Sequence, residues 1–271
     1  MSEDRAAERV ERILVAMDAS PHSVAALQAA AELAAWMQAE VHGIFVEDIN
    51  LLHLCGLPFS CEVGSFTASV RQLDNRSLER HFRSVAHQLR RAMETTAGRA
   101  HVRWSFEVAR GGVANELLAA AEAATLLSLG RAGRRRVKSL GSTARLVVSR
   151  TSRPVLVLGE DGHLRFPLIV LYTGTAAADR GLQLATRMAA RTAKSIFLLL
   201  MPDTAAGQSV DEVRRRAAVL LASTPVQGER TVVEDQQLRQ LLASTAEGTF
   251  ILPGEYAHLL TEITLPAVLV P

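Results

Sequence analysis

The chain has almost no cysteine, few aromatic residues and no long apolar run, and each shortage closes off a class of protein. Two cysteines, Cys55 and Cys61, in 271 residues supply no disulfide framework, so a reduced cytoplasmic setting is expected. The run SIFLLLMP is far shorter than a membrane span, and the opening MSEDRAAERVERILVAMD meets its first apolar residues only after a string of charges, unlike a secretory leader. A large excess of one charge is missing too. The formal net charge of +2 argues against a broad nucleic-acid footprint, although Arg134-Arg135-Arg136-Val137-Lys138 is locally basic. Catalytic signatures are also lacking: there is no GxSxG, no HExxH and no pair of carboxylates with an evident role. The chain is therefore expected not to be an enzyme.

What the chain does have is a repeat. The segment ILVAMDASPHSVAALQAAAELAAWMQAEVHGIFVED from Ile13 aligns without a gap on LIVLYTGTAAADRGLQLATRMAARTAKSIFLLLMPD from Leu168, an offset of 155 residues. Leu27-Gln28 meets Leu182-Gln183, and Ala30, Ala34 and Asp48 meet Ala185, Ala189 and Asp203. The offset shrinks further along, so the second copy is the shorter. In the first copy RILVAM is a continuous apolar run, as a strand buried on both faces requires. Ser20-Pro21 then starts a helix reaching about Gln38. VHGIFV reads as a second strand. Leu78, Phe82, Val85, Leu89 and Met93 fall at helical spacing, whereas Val102, Trp104, Phe106 and Val108 alternate. VANELLAAAEAA, TLLSLG, STARLVVSR and PVLVL complete a strand-helix alternation.

Abundant alanine predicts helices packed closely through small side chains. The expected fold is α/β: two Rossmann-like, doubly wound parallel-sheet domains over 10–160 and 165–271, with the linker near GEDGHLRF. Arg214-Arg215-Arg216 in the second copy reads as a solvated helix face, and 49–73 as a loop.

In such a sheet ligands sit at the carboxyl ends of the strands. Gly130 ends the fourth strand there, Gly133 permits close approach of the backbone, and Gly141-Ser142-Thr143 opens a helix whose N–H groups and dipole favour an anion. Asp18 leaves the first strand at the same edge, where a carboxylate accepts from ribose hydroxyls. Neither GxxxxGK[ST] nor GxGxxG is present.

ILVAMDAS, GRAG and GSTARLVVSRTSRPVLVL together resemble the universal stress proteins, in their tandem two-domain form, over nearly the whole chain. The resemblance implies a five-stranded parallel sheet of order 3-2-1-4-5 in each copy. It also implies an adenine-nucleotide site: Asp18 on the ribose, the Val46 backbone at the adenine, and Gly130, Gly133, Gly141 and Ser142 around the phosphates. Thr143 is added from its place in the same helix start. The nucleotide would be ATP, with Mg, or AMP or ADP. Seven residues separate Gly133 from Gly141 where the family's motif has nine, which bears on the phosphates more than on adenine or ribose. Arg131, Arg134, Arg135, Arg136 and Lys138 either offer charge in compensation or form a solvated loop.

The second copy has Thr173 at the position of Asp18 and Met201 at that of Val46, and Pro253-Gly254 runs almost directly into the last helix. It reads as a structural partner, pairing with the first domain much as family domains pair through their fifth strands. A homodimer is a further reading. His53, Cys55 and Cys61 read as part of a packing loop rather than a metal or redox site, and Glu47-Asp48 as a strand-end turn or a metal ligand beside a nucleotide. His22 at the first helix start reads as an exposed first-turn residue, with contact to a phosphate as the alternative. The expected role is a stress-response protein in which nucleotide-dependent ordering of 130–143 changes a surface presented to a regulatory partner. The alternatives are a scaffold docking through 49–73 without nucleotide, and RNA binding through Arg131–Lys138.

Overall fold

The computed structural model describes residues 11–271 except 56, 58–60, 64–69, 73–74, 132–139, 159–162, 191, 193–194, 203–207, 223–227 and 234. Strand β1 (Arg12–Met17) is the apolar run RILVAM. Helix α1 (Pro21–Met37) starts where expected: the Ser20 hydroxyl accepts from the Ser23 N–H at 3.1 Å, and Pro21 opens the first turn. It stops at Gln38, whose φ of 55° is left-handed and whose N–H closes on the Ala34 carbonyl. Ala26, Ala29, Ala30 and Ala34 are fully buried. Side chains this small let the helix axis lie close to the sheet.

After β2 (Glu40–Asp48) the stretch expected to be a loop contains regular elements. Asp48 accepts from the Asn50 N–H at 2.9 Å and starts α2 (Ile49–Cys55), and an antiparallel pair follows, β3 (Cys61–Val63) with β4 (Val70–Gln72). The short seven-residue helix went unread because about two turns show too little periodicity. Helix α3 (Asn75–Arg99) buries Phe82, Leu89, Met93 and Ala97 along one stripe. Then come β5 (Trp104–Gly111), α4 (Val113–Ala121), β6 (Leu126–Gly130), α5 (Ser142–Arg150) and β7 (Val155–Leu158). The second half runs β8 (Leu168–Tyr172), α6 (Ala176–Ala190), β9 (Ile196–Leu200), α7 (Val210–Ala222), β10 (Gly228–Val232), α8 (Asp235–Ser244) and β11 (Thr249–Pro253). A 3-10 helix (Gly254–Thr261) and β12 (Ala267–Val270) close it.

Ten of these strands form one sheet in the order β10-β9-β8-β11-β12-β7-β6-β1-β2-β5. Numbered within its own half, each set of five reads 3-2-1-4-5. The halves do not stand as separate sheets. The two fifth strands pair antiparallel, with Leu156 opposite Val268, and every other pair in this sheet is parallel. VLVL of β7 and AVLV of β12 are buried throughout, as central strands covered on both faces must be. Apolar side chains of α1, α3, α6 and α7 pack on one face of the sheet; those of α4, α5, α8 and the 3-10 helix pack on the other.

Contacts across the halves extend beyond the strand pair. Trp36 and Phe166 rings lie 5.3 Å apart, and the Glu32 carboxylate meets His163 Nδ1 at 2.6 Å. Arg214, Arg215 and Arg216 are all exposed, as a solvated helix face requires, and Arg216 has a partner besides. Arg216 Nε reaches both oxygens of Asp179 on α6, at 3.2 and 3.0 Å, and the Tyr172 hydroxyl donates to the same carboxylate at 2.6 Å. Among the described residues no helix is long and apolar enough to cross a membrane.

Candidate functional site

The site begins with a mismatch in strand length. β1 ends at Met17 opposite Phe45, while β2 continues to Asp48 paired only with β5. On the other flank of β1, β6 ends at Gly130. Strand order reverses between β1 and β6, and the helices leaving these two strands lie on opposite faces, so a crevice opens at their carboxyl ends. It is a cleft of about 1010 Å³ lined by Asp18, Val46, Gly130, Gly141, Ser142 and Thr143, among others. Six of the seven residues singled out from the sequence therefore meet in one place. The seventh, Gly133, lies outside the described residues, as do Arg134, Arg135, Arg136 and Lys138.

Asp18 stands exposed at the rim, its Oδ1 accepting from the Ser20 N–H at 3.0 Å. The next residue, Ala19, takes φ 60°, a left-handed conformation that costs a non-glycine residue about 1 kcal/mol or more. That turn aims the carboxylate at the cleft while α1 departs the other way. Val46 is buried among Leu117 and Leu129 on the α4 side of the sheet. Two of the helix starts at the cleft, those of α1 and α5, differ in one respect. α1 is capped by the Ser20 hydroxyl, whereas α5 has Gly141 as its cap residue, with no side chain to bond the first-turn N–H groups. Ser142, Thr143 and Ala144 of that first turn line the cleft. Uncapped N–H groups, two hydroxyls and the positive end of the helix suit an anion.

Other lining residues went unread. Leu51 of α2, His81, Phe82 and Val85 of α3, and Val113 and Leu117 of α4 complete the walls. Their apolar members carry the same helical spacing as core residues, so the sequence offers no signal separating wall from core. His22, read as exposed or as a phosphate contact, is half-buried and lines the cleft, and its buried Nδ1 has no hydrogen-bond partner among the described residues.

Arg131 departs from both readings of the basic cluster, charge at the phosphates and a solvated loop. It is buried, and its Nη1 donates to the carbonyls of Leu260, at 3.2 Å, and Ile263 at the end of the 3-10 helix. Burial holds its guanidinium below the ordinary arginine range. The side chain ties the two halves together instead of lining the cleft. Glu47 is engaged by Arg110, with Nε at 2.8 Å and Nη2 at 2.7 Å, and Asp48 caps α2. Among the described residues no three His, Cys, Asp or Glu side chains are grouped to hold a metal.

The corresponding strand end in the second half is closed by its own side chains. Thr173 is buried and its hydroxyl meets that of Thr175 at 3.1 Å, which in turn caps α6 by accepting from the Ala178 N–H. Gly174 follows at φ 76°, where an added Cβ would lie 3.2 Å from Val213 of α7. β11 runs directly into the 3-10 helix with no intervening loop.

Residues 9–159 match the universal stress protein family. No curated protein matches the chain. Among solved structures, a universal stress protein from Archaeoglobus fulgidus DSM 4304 superposes with a TM-score of 0.74 at 14% identity, over 95% of this chain and 97% of that one. A functionally unknown protein from Pseudomonas aeruginosa PAO1 gives 0.55 at 10% identity, over 96% and 92%. A putative universal stress protein from Pseudomonas aeruginosa UCBPP-PA14 gives 0.54 at 11%, over 96% and 93%. At these identities the likeness is one of fold.

Proposed function

The chain belongs to the universal stress protein family, and from that premise we propose that it binds an adenine nucleotide in the cleft of its first half and acts, without catalysis, on a protein partner. The observation that carries this reading is the convergence of a rim carboxylate, an apolar wall and an uncapped helix start on one cleft. Asp18 would accept from the ribose hydroxyls. Val46 and its apolar neighbours would flank the base. The N–H groups of α5, with Ser142 and Thr143, would hold phosphate, and Mg would accompany a triphosphate. The second half would brace the sheet edge of the first and bind no nucleotide, because Thr173 replaces the carboxylate and no loop follows β11.

The partner face is proposed at α2 and at Leu57 just beyond it. Leu51, Leu54 and Leu57 are 44%, 50% and 56% exposed, and Leu51 also lines the cleft. An occupied cleft would shift the population of α2 positions and so alter that face. The same leucines support the second reading, a scaffold that docks a partner without nucleotide.

Calorimetric titration with Mg-ATP, after assaying the purified protein for bound nucleotide, tests the first reading. About one ATP per chain, weakened by Asp18→Ala, is the expected result. No heat from nucleotide-free protein sinks it. Partner capture that depends on Leu51, Leu54 and Leu57 but ignores ATP would then favour the scaffold.

A further inference from the structure

We propose that the exposed face of α3 binds the phosphate backbone of nucleic acid without regard to sequence. The helix carries six arginines against two glutamates, in a chain whose formal net charge is only +2. The charge is also placed on one face. Arg80, Arg83, His87, Arg90 and Arg91 are all exposed and fall within an arc of about 100°, along about 16 Å of helix. The opposite face is pinned to the sheet by Phe82, Leu89 and Met93.

The arginines of this row lack the partners that arginines have elsewhere in the molecule. Arg12 meets Glu40, Arg110 meets Glu47, Arg187 meets Glu11 and Arg216 meets Asp179. On α3, Arg80 donates to the Arg76 carbonyl at 3.3 Å and the Ser77 hydroxyl at 3.1 Å, and Arg83 donates to the Glu79 carbonyl at 3.3 Å. Arg90 lies over the Phe106 ring, 5.5 Å from its centroid, which holds the guanidinium in place while leaving its charge unmatched. Among the described residues none of Arg80, Arg83, Arg90 and Arg91 has a carboxylate partner. The helix itself orients Arg80 and Arg83, Phe106 orients Arg90, and among the described residues neither Glu79 nor Glu94 of α3, each one turn from an arginine of the row, forms an ion pair with it.

The chemistry of the row selects among polyanions. None of the exposed large apolar residues belongs to α3. A membrane surface would want an apolar wedge beside the charge, and a protein partner an apolar or aromatic anchor. A rigid row of planar guanidinium forks with no apolar element matches a repeating phosphate chain, which they contact bidentately. Binding would be electrostatic and would weaken as salt releases the advantage of displaced counterions.

The test is fluorescence anisotropy of the full chain with a labelled single-stranded 20-mer RNA at several potassium chloride concentrations. With four phosphate contacts on a single strand, the slope of log K against log salt should be about −3. Replacing Arg80, Arg83, Arg90 and Arg91 together by Gln should lower affinity at least tenfold at low salt and flatten the slope, with the circular dichroism melt unchanged. The same four positions as Lys should retain binding. Three results overturn the proposal: no binding by the wild type; loss on Arg134–Arg136→Gln but not on the α3 change; or binding to phosphatidylserine vesicles in place of RNA.

Discussion

Gly130 of β6 lies against the backbone of His22 in the first turn of α1, so closely that a methyl group added to Gly130 would sit 2.5 Å from the His22 carbonyl carbon and nearer still to its oxygen. The glycine therefore serves two purposes. It ends a strand at the cleft, and it lets the start of α1 pack onto that strand end. The second purpose holds whether or not a phosphate ever approaches.

Gly130→Ala should accordingly cost about 2 kcal/mol of stability in the absence of any ligand, the usual penalty for forcing volume into packed backbone. Urea denaturation of the ligand-free protein measures it. An unchanged midpoint would mean that the glycine is there for a ligand alone.

Asp18 makes the opposite prediction. Its one hydrogen bond is to an exposed backbone N–H, so Asp18→Ala should change stability by no more than about 0.5 kcal/mol. If the carboxylate holds ribose hydroxyls, the same change should weaken ATP by tenfold or more and abolish discrimination between ATP and its 2′,3′-dideoxy analogue. Side-by-side calorimetry of the two nucleotides gives the answer.

Arg131→Ala should be strongly destabilising although no carboxylate partners it. The change strips the donor from the Leu260 and Ile263 carbonyls at the end of the 3-10 helix. Charge-assisted bonds of this kind contribute about 1.5–3 kcal/mol each, so a loss of about 3 kcal/mol is expected. A chemical melt in which the halves unfold as separate steps, where the wild type shows one, would locate the damage at their junction.

Tyr172 gives a pH prediction. Its hydroxyl is held well above its ordinary value by burial, by the hydrogen bond to Asp179 and by the charge of that carboxylate. A raised folded-state value means that the stabilisation is complete below the unfolded value of about 10 and drains away as pH rises above it. Stability should therefore fall above about pH 10 from this residue, and Tyr172→Phe should remove that part of the slope. Thermal melts between pH 9 and 11 on both proteins compare them directly.

Much of the architecture was legible because its signals are local. RILVAM, Ser20-Pro21 and the Phe82–Leu89–Met93 stripe each declare a strand, a helix start or a buried face within a few residues. The repeat then showed two copies of one unit, and the strand order that no single segment encodes came from the resemblance to the universal stress proteins. Candidate site residues were legible where glycine or a strand-end carboxylate marks them, as at Asp18 and Gly141. They were not legible at Leu51, His81 or Val85, whose spacing is that of ordinary packing. Arg131 was misread because its neighbours in sequence are basic, while its partners lie about 130 residues away.

The sequence by itself determined the alternation of strands and helices, the two-fold repetition, and which residues leave the strands at the carboxyl edge. These follow from hydrophobic period, capping and turn chemistry, which act over short stretches of chain. The pairing of the halves through β7 and β12 was implied by the resemblance alone, and only the tertiary structure decided that it makes one sheet, that Arg131 faces the 3-10 helix rather than the cleft, and that Thr173 and Thr175 close the corresponding strand end of the second half. Each depends on which surfaces meet after the chain has collapsed. Burial and the demand of buried polar groups for partners set that outcome between residues far apart in sequence.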